Sequence, residues 1–204
     1  MITSIAIEPT IKTVTPEIQS QEHKWALAAQ KGDQVAFMHL VEAYQKPVYN
    51  LCYRMLHDTV EAEDAAQETF IRVYTKIGSY NPERKLSSWI LSIASHYCID
   101  KLRKHRFQLL SWEEVLPWGW FAAHEPEPET AAVNQEWTSD IQKWVAALPS
   151  DYRATVILRY WHEMSYDEIA ETLNTTVSTI KSRLFRARKM MLQVTPQEVN
   201  DERR

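Results

Sequence analysis

Apolar residues recur along this chain at alternating intervals of three and four, the period of a helix buried on one side. The clearest run lies near the carboxyl end, where Val177, Ile180, Leu184, Ala187 and Met191 share a face. The opposite face carries Ser178, Thr179, Lys181, Ser182, Arg183, Arg186 and Lys189, with no acid among them. Just upstream, Ser165 stands three residues before Glu168. That is the capping-box pattern, in which hydroxyl and carboxylate satisfy orphan backbone N–H groups reciprocally. Ile169 and Leu173 make this helix apolar on one side, and Ala170 permits a close crossing. Asn174 suits a left-handed stop, and Thr176 suits the next cap. The pattern therefore predicts a helix-turn-helix with a cationic second helix. Such a helix fits the major groove of DNA, where Lys and Arg reach phosphates or guanine edges and Ser and Thr are short donors. A solvated charged face is the plainer alternative. The coincidence of cap, small crossing residue, Asn turn and one-sided charge favours DNA binding.

The same period organises the rest of the chain. Residues 1–20 hold Pro9 and Pro16 and read as a loose tail. A first helix is expected over Glu22 to Gln30, followed by Gly32 and a capping Asp33. Phe37, Leu40, Val41, Tyr44, Val48, Leu51, Cys52 and Met55 keep helical spacing, with Pro47 expected to bend or break the run. Ala62, Ala66, Phe70, Val73 and Ile77 mark a helix whose other side shows Glu61, Asp64, Gln67, Glu68 and Ile71. A polar loop over residues 78–85 leads to a helix through Trp89, Ile90, Ile93, Ala94, Tyr97 and Leu102. That helix ends in a basic cluster, Lys101, Arg103, Lys104 and Arg106. Over residues 108–135 the period is lost, and Trp112, Trp118 and Trp120 alternate with prolines and acids, as in a linker. It returns with Ile141, Trp144, Val145 and Leu148, then Val156, Ile157, Tyr160 and Trp161. The expected fold is all-α, two small helical domains (21–107 and 136–195) joined by a flexible linker (108–135), with tails at 1–20 and 196–204. The second domain contains the helix-turn-helix.

Composition sharpens this picture at a few points. Only three glycines occur in 204 residues, which suits a helical protein. The net charge of -4 is unusual for a DNA binder, but the charge is segregated. Cations gather at 101–106 and 181–189, acids at 61–68 and 113–129. Two DNA contacts and a separate partner for the acids follow. Two cysteines, Cys52 and Cys98, make no disulfide framework and suit a reducing compartment. No signal-peptide pattern opens the chain and no apolar run reaches membrane-spanning length, so a soluble, cytoplasmic protein is expected. His96, Cys52 and Cys98 match no ligand spacing, so neither metal nor cofactor is expected. Glu61, Asp64 and Glu68 share a face but lack a distant partner to complete a nuclease metal site. No nucleophile motif is present, and no enzyme is expected.

With both halves in view, the chain resembles bacterial RNA polymerase sigma factors of the extracytoplasmic-function type. EAEDAAQETFIRVY is similar to that family's polymerase-binding helix, and SSWILSIASHYCIDKLRKHR to its helix for the upstream face of the melted element. LPSDYRATVILRYWHEMSYDEIAETLNTTVSTIKSRLFRARK is similar to its distal-element domain. The middle and acidic amino-terminal domains of housekeeping sigma factors have no counterpart, so the compact subtype fits. His96, Ser178 and Asn174 depart from residues common in the family. The resemblance implies that Asp64, Gln67, Glu68 and Ile71 meet core RNA polymerase. It implies that Tyr80, Asn81, Ser92, His96, Lys101, Arg103, Lys104 and Arg106 meet the proximal (−10) promoter element. Arg159, Ser178, Thr179, Lys181, Ser182, Arg183 and Arg186 would then meet the distal (−35) element. It also leaves room for an anti-sigma factor that clamps both domains. Plainer readings stand beside these: a solvated acidic face with a Glu68–Arg72 pair, an ordinary loop at 80–85, and Trp89 as core. DNA opening would need no ATP, because binding to flipped bases offsets their unstacking. A self-sufficient helix-turn-helix regulator, binding DNA without polymerase, is the alternative.

Overall fold

The computed structural model describes residues 16–113 and 135–194, with side chains over 21–105 and 141–192. Among the described residues there are eight α-helices and no strand.

The first module starts with α1 (Pro16–Gln30) and α2 (Gln34–Leu56). Between them Gly32 takes a left-handed φ of 91°, a conformation that costs a residue without Cβ little. Asp33 then caps α2, accepting from the N–H groups of Val35 and Ala36 at 2.9 and 3.0 Å. Pro47, expected to bend or break the run, does not break α2. Pro47, Tyr44, Val48 and Leu51 are all buried. Their packing offsets the one backbone bond a proline forfeits. His57 closes α2 in a left-handed conformation, its N–H reaching the Tyr53 carbonyl at 2.8 Å. Asp58 caps α3 (Thr59–Lys76) by accepting from the Glu61 N–H at 2.8 Å. A single 3-10 turn, Ile77–Ser79, leads to α4 (Leu86–Glu113). The helix thus runs past residue 107, where the linker was expected to begin. Residues 108–113 contain no Gly or Pro, and the first breaker is Pro117. Residues 114–134 of the expected linker, with Trp118 and Trp120, lie outside the described residues.

Leu40, Val48, Leu51, Cys52, Met55, Val73, Ile90, Leu91 and Cys98 are fully buried where α2, α3 and α4 meet. Each large apolar side chain sequestered this way contributes about 1.5–3 kcal/mol.

The second module comprises α5 (Gln135–Ala146), α6 (Ser150–Tyr160), α7 (Tyr166–Thr172) and α8 (Val177–Val194). The capping box at the start of α7 is complete. The Ser165 N–H donates to Glu168 Oε2 at 2.8 Å, and the Glu168 N–H donates to Ser165 Oγ at 3.2 Å. Asn174 is left-handed with φ of 48°, and the Thr179 N–H donates to Thr176 Oγ1 at 3.2 Å. The helix-turn-helix therefore forms with the caps its residues specify. Ile157, Leu158, Ile169, Ile180, Leu184 and Ala187 fill the core.

The modules pack together, α2 and α4 against α5, α6 and α7. Arg153 crosses the seam. Its guanidinium donates to the Met55 carbonyl at the end of α2, to the Ala146 carbonyl at the end of α5, and to the Leu148 carbonyl just after it. These are carbonyls of helix ends, which lack intrahelical donors. Burial pushes Arg153 down to about 10, so it remains charged at neutral pH. Beside it, Arg54 lies 5.2 Å from the Trp161 ring centroid, and His57 Nε2–H donates to the Gln142 carbonyl at 2.8 Å.

Candidate polymerase and nucleic-acid interfaces

On α3, spacings of three and four bring residues 64, 67, 68 and 71 onto one stripe. Ala62, Ala65, Ala66, Thr69 and Val73 face the core, so this stripe faces outward. Asp64 and Gln67 are exposed. Ile71 is 59% exposed, a large apolar side chain left in water. Glu68 binds Arg72 Nε at 2.7 Å, so the plainer ion-pair reading of that residue is also realised. The sequence reading missed what lies alongside. Tyr74 is exposed and packs edge-on against Phe37 at 4.9 Å. Val35 and Met38 of α2 are exposed too. A groove of about 520 Å³ between α2 and α3 is lined by Val41, Gln45, Tyr49, Gln67 and Phe70, among others. The only signal for Val35, Met38 and Tyr74 is apolar character on positions that the helical period turns outward.

The loop between α3 and α4 is held from inside. Tyr80, expected at DNA, is 4% exposed. Its ring tilts against Trp89 with centroids 5.1 Å apart, and its hydroxyl donates to the Arg84 carbonyl at 2.6 Å. It braces the loop and presents no ring to a base here. Trp89 is half-buried against the core, as the plainer reading held. Asn81 is exposed, and its Oδ1 accepts from the Glu83 N–H at 3.0 Å. Along α4, Ser92, His96 and Arg103 share one stripe, as intervals of four and seven require. His96 is exposed with Nδ1 2.7 Å from the Ser92 carbonyl. Lys101, nine residues beyond Ser92, lies on the opposite side of the helix. There it sits 3.6 Å from Glu61, and Lys104 and Glu61 line the same hollow. The expected cationic cluster is thus divided between two sides of α4. The Arg106 side chain lies outside the described ones.

On α8, Ser178, Lys181, Ser182 and Arg186 are exposed, while Thr179 and Arg183 are half-buried. Arg159 does not join them. It donates to the Met164 carbonyl at 2.8 Å and stacks on Tyr166 at 5.1 Å, bracing the turn before α7.

Several cations of the first module meet acids of the second. Arg103 donates to both oxygens of Asp151 at 3.0 and 2.8 Å, and Arg183 lies 3.9 Å from the same carboxylate. Arg84 pairs with Glu171 at 2.9 Å and Lys85 with Glu168. Burial works against the Glu168 charge, yet hydrogen bonds from Lys85 and Ser165 hold its carboxyl below the usual range. Exposed pairs of this kind contribute up to about 1 kcal/mol each, so other anions can displace them.

The geometry is that of two helical modules, one with an outward acidic and apolar stripe and a braced loop, the other with a helix-turn-helix whose second helix carries a cationic face. Residues 40–108 match the model of sigma-70 region 2, and residues 139–191 that of sigma-70 region 4. The ECF RNA polymerase sigma factor SigW of Bacillus subtilis is 40% identical over 167 residues, covering 79% of this chain and 89% of that protein. This chain belongs to the extracytoplasmic-function sigma factors. The RNA polymerase sigma-H factor of Pseudomonas aeruginosa is 31% identical, covering 84% of this chain and 92% of its own length. The fold is shared with the sigma factor RpoE of Bartonella quintana, solved in complex with the anti-sigma factor NepR. That match has a TM-score of 0.60 at 23% identity and covers 82% of this chain and 98% of that one. As a sigma factor, the protein is a promoter-specificity subunit of RNA polymerase, with α2 to α4 forming region 2 and α5 to α8 region 4. A lone helix-turn-helix regulator would have no use for region 2, and that alternative is not favoured. No described helix is long and apolar enough to cross a membrane.

Proposed function

We propose that the sigma factor docks on core polymerase through Asp64, Gln67, Glu68 and Ile71, extended by Val35, Met38, Tyr74 and the α2–α3 groove. An apolar patch rimmed by carboxylates suits a partner helix that pairs cations with an apolar stripe. Asn81 at the loop tip, with Ser92, His96 and Arg103 along α4, reads the proximal element. Lys101, Lys104 and Arg106 neutralise nearby phosphates. In region 4, Ser178, Thr179, Lys181, Ser182, Arg183 and Arg186 place α8 in the major groove of the distal element. Tyr80 and Arg159 shape these surfaces from behind. On promoter DNA, phosphates replace Asp151, Glu168 and Glu171 as partners of Arg103, Arg183, Lys85 and Arg84.

Melting follows from binding. A surface that holds an unstacked base shifts the equilibrium toward open DNA by its preference for that state. The protein works without catalytic groups of its own, in the cytoplasm where polymerase and chromosome lie. An anti-sigma factor is the natural antagonist. The reading rests on one observation above others: both sigma regions occur in order, the first with an outward acidic stripe and the second with an acid-free recognition face.

Reversing two charges on the stripe (Asp64→Lys with Glu68→Lys) tests the docking role. Affinity for core polymerase should fall at least about tenfold, a loss of roughly 1.4 kcal/mol, with the thermal unfolding midpoint little changed. Unaltered affinity would remove the stripe from the interface.

A further inference from the structure

We propose that Gln30, on α1 and outside both matched regions, is a positioning residue for base discrimination at the proximal promoter element. The proposal rests on the reading that the loop after α3 meets that element.

A carboxamide nitrogen carries two N–H donors. Gln30 Nε2 spends them on two carbonyls, Ile77 at 3.0 Å and Tyr80 at 2.7 Å. These carbonyls flank Gly78 and Ser79, so one side chain fixes both ends of the turn. The Ile77 carbonyl also receives the Tyr80 N–H at 3.1 Å, closing the turn on itself. The second bond bears on recognition. The Tyr80 carbonyl and the Asn81 N–H belong to one planar peptide unit. Holding that oxygen therefore fixes the plane from which Asn81 leaves the loop. On the other side, the Tyr80 hydroxyl holds the Arg84 carbonyl at 2.6 Å. The carbonyls of residues 77, 80 and 84 are thus clamped, and Asn81 stands exposed between the last two.

The strut behind the loop is itself anchored. The Tyr44 hydroxyl, on a side chain 4% exposed, donates to Glu22 Oε2 at 2.7 Å. Trp25 stacks on His39 with centroids 5.0 Å apart. At its end, the Asp33 N–H returns to the Ala28 carbonyl at 3.1 Å. Helix α1 is thus bound to α2, and Gln30 carries that fixed reference to the loop. Discrimination between bases requires donors and acceptors held within about 0.5 Å of their productive places. Gln30 supplies that constraint without touching DNA.

The test uses holoenzyme reconstituted with the full-length chain, on a promoter that the wild-type holoenzyme selects and on its single-base variants in the proximal element. Gln30→Met removes the donors at similar length, Gln30→Ala removes them without bulk, and Gln30→Lys restores N–H donors. Run-off transcription should show the ratio between the best and the substituted bases falling roughly tenfold in the Met and Ala variants, the scale of one to two lost hydrogen bonds. Core polymerase affinity and dependence on the distal element should hold, and Gln30→Lys should recover part of the ratio. An unchanged ratio in both donor-less variants overturns the assignment. So does a loss of output equal on every template, which would mark Gln30 as merely structural. A wild-type holoenzyme indifferent to every proximal base would instead overturn the loop reading on which the proposal stands.

Discussion

Acidification should destabilise this protein, with the largest share of the loss traceable to His162. It lies in the turn between α6 and α7, 4% exposed. Among the described residues neither ring nitrogen has a hydrogen-bond partner. Burial, reinforced by the nearby Arg54 charge, pushes it down to about 3, against about 6.5 in an unfolded chain. The sign follows from proton counting. Between those two values the unfolded chain binds the proton and the folded one does not, so stability falls as pH falls. The loss begins near pH 6.5 and is complete near the folded value. Between pH 7 and pH 5 it amounts to about 2 kcal/mol, at 1.36 kcal/mol per unit once well below 6.5. That is a substantial share of a typical total of about 5–15 kcal/mol. The assay is urea unfolding at both pH values, for wild type and for His162→Gln and His162→Leu. Each substitution shifts the baseline, but the difference between pH values isolates the titration. His57, which burial also lowers, is common to all three proteins and cancels. Wild type should lose about 2 kcal/mol more than either variant. Equal losses would mean that His162 is protonated in the native state and that the burial argument fails.

Two further perturbations bear on the surfaces. Replacing Asp151 with Asn removes the partner that Arg103 holds and that Arg183 approaches. DNA binding by the free chain should tighten, because phosphate no longer has to displace a carboxylate from these arginines. Unchanged affinity would show that these arginines do not reach phosphate. Ser165→Ala should cost about 1 kcal/mol in thermal unfolding, because it removes one half of a complete capping box. A change below about 0.3 kcal/mol would mean that water replaces the cap.

The helix-turn-helix was legible because its instructions are local. Ser165, Asn174 and Thr176 each act on backbone within a turn of themselves, and the α8 period needs no knowledge of its partners. Asp33 was readable for the same reason. Pro47 misled because its local cost is overruled by a core assembled from distant residues. The end of α4 is not marked by the apolar period, which fades near residue 107, because a helix can continue without that period and no breaker occurs before Pro117. Tyr80 and Arg159 were expected at DNA from residue type and position. Which way a side chain turns depends on carbonyls offered nearby, at Arg84 and Met164, and a sequence does not display those. The pairings of Arg103 with Asp151 and Lys85 with Glu168 join residues 48 and 83 positions apart, and no period connects them. Gln30 left no trace, since its partners are backbone atoms that every residue possesses.

The most direct measurement of the central claim is run-off transcription by core polymerase on a pool of genomic promoter fragments, with and without this chain. The account predicts a new, discrete set of start sites that depends on two spaced elements and vanishes with the Asp64→Lys, Glu68→Lys double variant. Start sites identical with and without the chain, together with tight DNA binding in the absence of polymerase, would contradict it.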